Sequence, residues 1–363
     1  VTQSTHLVGQ VDTEIAEFLA SREPILVAVA DELSSFTDFS RDLLSGGKRF
    51  RARFCIAGWQ ATSSGAHSAE ERAVITLAAA LEIFHAAALV HDDIIDNSDT
   101  RRGMPAAHIR FAALHRDEHF AGAAGAFGRA SAILHGDLLL GWSDELVDAA
   151  LALLPDQDNA RSTRAEFNRM RTEVTVGQYL DILEENAWPT VPDADTIRRA
   201  ERVMTFKSAK YSVEAPLALG ALIGGASAAQ VDSLRRFGLP LGLAFQLRDD
   251  VLGVFGDATI TGKPAGDDLR EGKRTVLVAL ARQGMPHSQR GAFDDALGRG
   301  DLDAAAVADL QRQIEFSGAL ESTERSISSY TADALNALHA ADLDPHAVAE
   351  LEELAQLLTK RSF

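Results

Sequence analysis

Residues 89–103 read LVHDDIIDNSDTRRG and bring three aspartates, Asp92, Asp93 and Asp96, to the end of a long apolar run, with Arg101 and Arg102 close behind. Helix energetics alone would not choose acids there, because the macrodipole favours cations at a C-terminus. Residues four apart lie about 40° apart around a helix, so Asp92 and Asp96 share a face with Asp93 beside them. Two like charges about 6 Å apart repel by about 3 kcal/mol at an effective dielectric of about 20. A divalent cation relieves that repulsion. Hard oxygen donors suit Mg2+, which takes one or two carboxylates and completes its shell with phosphate oxygens and water. The two arginines suit the phosphates.

A second segment, FQLRDDVLGVFGD at 245–257, has the same layout. Asp249 and Asp250 come near the end of another apolar helix, Gln246 precedes them by one turn, and Lys263 follows in a polar loop. Two such acidic walls facing one cavity can hold a small Mg2+ cluster, bridged by a diphosphate. GGKRFR at 46–51 is a glycine-flexed turn entering a helix, where backbone N–H groups together with Lys48 and Arg51 attract an anion. It is not a Walker loop, because no GxxxxGK[ST] pattern occurs. His85 lies two helical turns before Asp92 on the same face, as a core histidine or as a further ligand.

The elements that must position these groups read as helices. Apolar residues recur at three- and four-residue spacing over 11–32, 51–62, 68–96, 129–154, 164–187, 196–223, 228–255, 273–283, 303–341 and 344–361. Two-residue alternation is scarce, so an all-α fold is expected. Polar, Gly- and Pro-bearing breaks fall at 45–50, 97–105, 188–196, 256–268 and 282–289, and none reads as an interdomain linker. With 363 residues, 46 % hydrophobic and 24 % charged, the chain can bury a sizeable core. The net charge of −18 argues against nucleic acid or an anionic membrane as a partner, so an anionic substrate must be held by local cations or metal. Cys55 is the only cysteine, which excludes an intrachain disulfide and fits a cytoplasmic protein. The apolar run 77–90 contains Glu82 and His85 and is too short to span a bilayer; no signal peptide is read at the N-terminus.

Five ordered motifs, GGKRFR, LEIFHAAALVHDDIIDNSDTRRG, GQYLDIL at 177–183, FKSAKYS at 206–212 and FQLRDDVLGVFGD, together resemble the trans-isoprenyl diphosphate synthases. The segment RDDVLGVFGD to GKPAGDDLREGKRT is most similar to the actinobacterial geranylgeranyl and longer-chain members. The resemblance implies a single domain over 1–363, a bundle of long helices around a deep central cavity, and a homodimer. It implies that Lys48, Arg51, His85 and Arg102 hold isopentenyl diphosphate. Asp92, Asp96 and Asp249 would bind Mg2+, which with Arg101, Lys207 and Lys263 would hold the allylic diphosphate, whether dimethylallyl, geranyl or farnesyl. Asp93, Asp181 and Asp250 become supporting acids, while Gln246 and the main chain near Lys207 and Ser208 face the allylic cation. The implied reaction ionises the allylic carbon–oxygen bond, and the double bond of isopentenyl diphosphate attacks the cation.

Three departures from the family pattern stand out: Ala52 replaces a common proline, Gly253 replaces the third aspartate of the second acidic motif, and the segment between Pro105 and Asp137 is long. On the face below Asp92 lie Ala88, His85, Phe84 and Leu81. In the resembling family, bulky residues four or five positions before the first aspartate stop growth at fifteen carbons. Ala88 and Ala87 stand at those positions, so Phe84 becomes the expected floor and geranylgeranyl diphosphate the expected product. The alternatives are a farnesyl or longer-chain synthase, a class I terpene cyclase or a non-catalytic synthase subunit. A terpene cyclase has no use for a second diphosphate cradle, and a non-catalytic subunit tends to lose the acids kept here.

Overall fold

The computed structural model describes residues 3–63, 68–101, 103–256 and 266–359. Two of the expected site residues, Arg102 and Lys263, lie outside the described residues. The described chain is helical almost throughout and divides into two compact units, residues 1–164 with 219–226, and residues 165–218 with 227–363.

The first unit contains α1 (Gln3–Val27), α2 (Ser34–Leu44), α3 (Phe50–Thr62), α4 (Ser68–Ile95), α5 (Ala107–Asp117) and α6 (Ala124–Ala152). Its axis is α4, against which α1, α3 and α6 pack. Every residue from Ala73 to Phe84 is buried. Alanines 78–80 keep that helix slim enough for α6 to approach, and the buried Ser143 hydroxyl of α6 donates 2.8 Å to the Ala80 carbonyl. At 28 residues α4 has the length and composition of a membrane span, unlike the shorter run read from sequence, but 83 % of its most apolar window is buried within the protein. A charged pair inside this core, Glu82 with Arg49 at 3.4 Å, shows what that burial encloses.

The chain departs from the sequence periodicity in places that have local causes. The first helix ends at Val27, short of residue 32, and a 3₁₀ turn at Asp31–Leu33 leads into α2. The span 303–341 is two helices, Ala304–Phe316 and Ala319–His339, parted at Gly318, whose φ of +79° ends the α-helical path. The long segment 105–137 is a helical hairpin: α5 packs on the start of α6, which begins ahead of the expected residue 129. Helix His287–Ala296 occupies part of the expected break at 282–289.

The second unit contains the rest of α7 (Gln157–Ala187), α8 (Thr196–Val203), a π-helix at Met204–Glu214 and α10 (Ala228–Phe255), while α9 (Ala215–Ile223) is shared between the units. Ser227 and Gln230 form a reciprocal capping box that starts α10. Arg248 anchors that helix from its far side by a bidentate pair with Glu324, at 2.6 and 2.7 Å, and a 3.2 Å bond to the Thr359 carbonyl.

Close helix contact sets a stability requirement in the first unit. A Cβ on Gly220 would lie 1.7 Å from the Cys55 carbonyl oxygen and 2.9 Å from the Trp59 amide nitrogen, both backbone atoms of α3. Gly220→Ala is therefore expected to destabilise the protein by about 3 kcal/mol, read as a lowered midpoint in thermal or urea unfolding.

Candidate active site

The middle of α4 is buried, but toward its C-terminal end His85, Ala88, Leu89 and Asp92 are partly exposed, as are His91 and Ile94, and Asp96 just past the helix end is partly exposed too. The three- and four-residue spacing of His85, Ala88, Leu89, Asp92 and Asp96 makes a partly open stripe that ends at the acids. Phe84, one turn below Ala88, is 3 % exposed, and Ala87 is fully buried. After α4 a two-residue hairpin pairs Thr100 with Pro105 and Arg101 with Met104, and this returns Arg101 to the helix end. Its Nε donates to Asp93 Oδ1 at 2.8 Å and a terminal nitrogen lies 3.3 Å from Asp92 Oδ2. The guanidinium thus neutralises two acids that the macrodipole disfavours. Asp93 is 2 % exposed and Asp92 stays partly open, so one acid is committed inward while the other faces out.

The turn before α3 divides its basic residues by role. Gly46, Gly47 and Arg49 all have positive φ, and Lys48 between them is exposed. Helix α3 begins only at Phe50, so Lys48 precedes it rather than starting it. Arg49, passed over in the motif, is the structural member: it bonds Asp12 at 2.8 Å and pairs with Glu82. Glu82 also accepts the Ala52 amide at 3.1 Å. One N–H of the α3 terminus is therefore already taken, and anion attraction in this turn rests mainly on the side chains of Lys48 and the partly exposed Arg51.

In the second unit α10 repeats the stripe. Gln246, Asp249 and Gly253, one turn apart, are partly exposed, while Asp250 is 5 % exposed beside them. Gln246 Nε2 donates 2.8 Å to Asp250 Oδ1. The space over Gly253 is taken by another acid: a Cβ there would lie 2.0 Å from Asp268 Oδ2. Asp268, at the start of the short helix Asp267–Glu271, is a residue of this acidic group that the sequence motif missed, since only folding brings it to α10. Burial raises the Asp250 carboxyl to about 8, with Asp268, Asp249 and Asp181 pushing the same way against the Gln246 bond. Lys207 and Ser208 sit on the π-helix, both partly exposed, and Lys207 Nζ donates 2.5 Å to Asp181 Oδ2.

The donors fit Mg2+ chemically: they are carboxylate oxygens, Arg101 stands as a cation between two of them, and burial among other acids raises the Asp250 carboxyl. Among the described residues no group of three or more such side chains is placed to hold a metal ion by itself.

The profile of the polyprenyl synthetase family matches residues 34–314, and the chain belongs to that family. A short chain isoprenyl diphosphate synthase from Methanocaldococcus jannaschii is 30 % identical over 305 residues, covering 80 % of this chain and 83 % of the relative. A geranylgeranyl diphosphate synthase from Methanosarcina mazei is 29 % identical over 324 residues, 89 % of this chain and 86 % of that one. The crystal structure of geranylgeranyl pyrophosphate synthase from Corynebacterium glutamicum, complexed with isoprenyl diphosphate and magnesium, covers 100 % of both chains with a TM-score of 0.91 and 37 % identity. The all-α fold is that of the isoprenoid synthases.

The raised Asp250 carboxyl has a pH consequence. Between its unfolded value of 3.8 and its folded value of about 8, the folded protein holds a proton that the unfolded chain releases, so stability falls as pH rises. Unfolding free energies of the Mg2+-free wild type, measured from pH 5 to 9, are expected to fall relative to Asp250→Asn by up to about 1.4 kcal/mol per pH unit below the folded pKa, with the slope flattening above it.

Proposed function

We propose that the protein is a Mg2+-dependent trans-prenyltransferase that condenses isopentenyl diphosphate with allylic diphosphates and makes mainly geranylgeranyl diphosphate. The observation that carries this reading is the pair of partly exposed acidic groups, Asp92 with Asp96 at the end of α4 and Asp249 beside Gln246 on α10, in a chain of this family. When bound, Mg2+ neutralises the charge of the departing pyrophosphate. Asp92, Asp96 and Asp249 would hold it, with Asp93, Asp181 and Asp250 as supporting acids. Lys207, Arg101 and Lys263 would orient the allylic diphosphate, and Lys48, Arg51, His85 and Arg102 the isopentenyl one. Gln246, with the main chain at Lys207 and Ser208, would face positive charge developing on the allylic carbon. The carbon–oxygen bond breaks, the isopentenyl double bond forms the new carbon–carbon bond, and the resulting cation loses its proton to pyrophosphate. Apolar walls such as Ala88 and Leu89 would keep water from trapping that cation.

The chain would act as one functional domain, as a cytoplasmic homodimer; the exposed Ile133 and Leu134 on α6, 45 % and 62 % accessible, support a partner surface there. The product assignment rests on Ala88, partly exposed on the stripe, one turn above the buried Phe84.

Incubating the purified protein with isopentenyl diphosphate, each of dimethylallyl, geranyl and farnesyl diphosphate, and Mg2+, then measuring product chain length, tests the reading. No isopentenyl consumption with any primer would overturn it. Lys48→Ala and Arg51→Ala are expected to raise the isopentenyl KM about tenfold and to spare the allylic KM. Ala88→Phe should shorten the main product toward farnesyl diphosphate, and Phe84→Ala should lengthen it beyond twenty carbons, because one helical turn of about 5 Å matches one isoprene unit. A wild-type product distribution from both variants would show that α4 does not measure the chain.

A further inference from the structure

Lys207 and Ser208 lie on the π-helix Met204–Glu214. Hydrogen bonds from i to i+5 widen such a turn and leave it poorer in packing than an α-helix, so one of eleven residues persists only where its neighbours hold it. Along α7, Glu173, Gly177 and Asp181 lie one turn apart on a single stripe, and each touches the π-helix in a different way. Lys210 Nζ donates 2.8 Å to Glu173. A Cβ on Gly177 would lie 2.5 Å from the Lys207 amide nitrogen, 2.6 Å from the Phe206 carbonyl carbon and 2.8 Å from the Lys207 Cα. Asp181 takes the Lys207 ammonium at 2.5 Å. From the opposite side α10 presents Gly242, where a Cβ would meet the Ala209 carbonyl oxygen at 2.5 Å.

We infer that Gly177 is a positioning residue for Lys207. The stripe fixes this lysine at both ends, its backbone by contact with Gly177 and its ammonium by Asp181. Backbone atoms cannot turn aside as a side-chain tip can, so a methyl group at 177 has to push the Lys207 main chain outward. The ammonium then leaves the place where it would meet the allylic diphosphate, and the adjoining main chain of Ser208 the place where it would face the allylic cation. Gly177 itself touches no substrate; it acts through Lys207 on one of the two substrates only. This inference rests on the prenyltransferase reading and on the allylic role of Lys207.

The test compares wild type, Lys207→Ala, Gly177→Ala and Glu173→Gln in steady-state kinetics with both substrates, alongside calorimetric titration of inorganic pyrophosphate in the presence of Mg2+. Gly177→Ala is expected to raise the allylic KM about tenfold and weaken pyrophosphate about as much, with the isopentenyl KM within about twofold of wild type. Glu173→Gln adds no heavy atoms and loosens the Lys210 tie together with a longer 3.7 Å pair to Arg169, so it should fold and raise the allylic KM about threefold. It carries the test if Gly177→Ala does not fold. Both KM values rising together, or neither moving, would overturn the positioning role. An active wild type in which Lys207→Ala leaves the allylic KM unchanged would remove the lysine's role and the inference with it. A wild type that consumes no isopentenyl diphosphate would instead defeat the underlying reading of function.

Discussion

Carboxylates gathered at the ends of buried helices are the constraint on which the rest of this protein depends. Neither the helix dipole nor low-dielectric surroundings favour them, and each unit meets the cost differently. In the first, the hairpin after α4 brings Arg101 back onto Asp93 and Asp92, so the fold supplies a cation. In the second, Asp250 lies too deep among other acids and retains a proton, with Gln246 as its hydrogen-bond donor. Both arrangements leave the neighbouring acids, Asp92, Asp96 and Asp249, partly open. A divalent ion with diphosphate oxygens would therefore meet partly exposed carboxylates beside a charge balance already partly made.

Such a demand for charge explains why adjacent basic residues have such different positions. Lys48 is exposed where Arg49 is 8 % exposed and committed to Asp12 and Glu82. In the segment RDD, Arg248 turns away from the two aspartates to clamp Glu324, which fixes the rotation of α10 and so points Asp249 and Gln246 to its open side. With a net charge of −18, cations are outnumbered by acids, and the fold commits Arg49 and Arg248 to orientation.

Small residues provide the complementary device. Alanines slim α4 for contact with α6, while Gly177 and Gly242 let two α-helices close on the π-helix that carries Lys207. The Gly253 position shows the same principle applied to charge: the absent side chain makes room for Asp268, so an acid from another helix stands beside Asp249 and Asp250 where the family pattern has a third aspartate on α10 itself.

The sequence by itself determined the fold class and the family and put forward the candidate site residues, because helical periodicity and local motifs such as DDIID and RDD are written in consecutive positions. It placed α4 and α10 almost to their ends, since both are long and strongly apolar, but missed α2, α5 and His287–Ala296, whose apolar patterns are short and broken by polar residues. Only the tertiary structure separated Lys48 from Arg49, returned Arg101 to Asp93, set Asp181 on Lys207 and brought Asp268 over Gly253. Each of those relations depends on a turn conformation or on contact between elements, and spacing along a chain encodes neither. The π-helix belongs to the same class: FKSAKYS reads as ordinary helix, and it is the close seat offered by Gly177 and Gly242 that accommodates the wider turn.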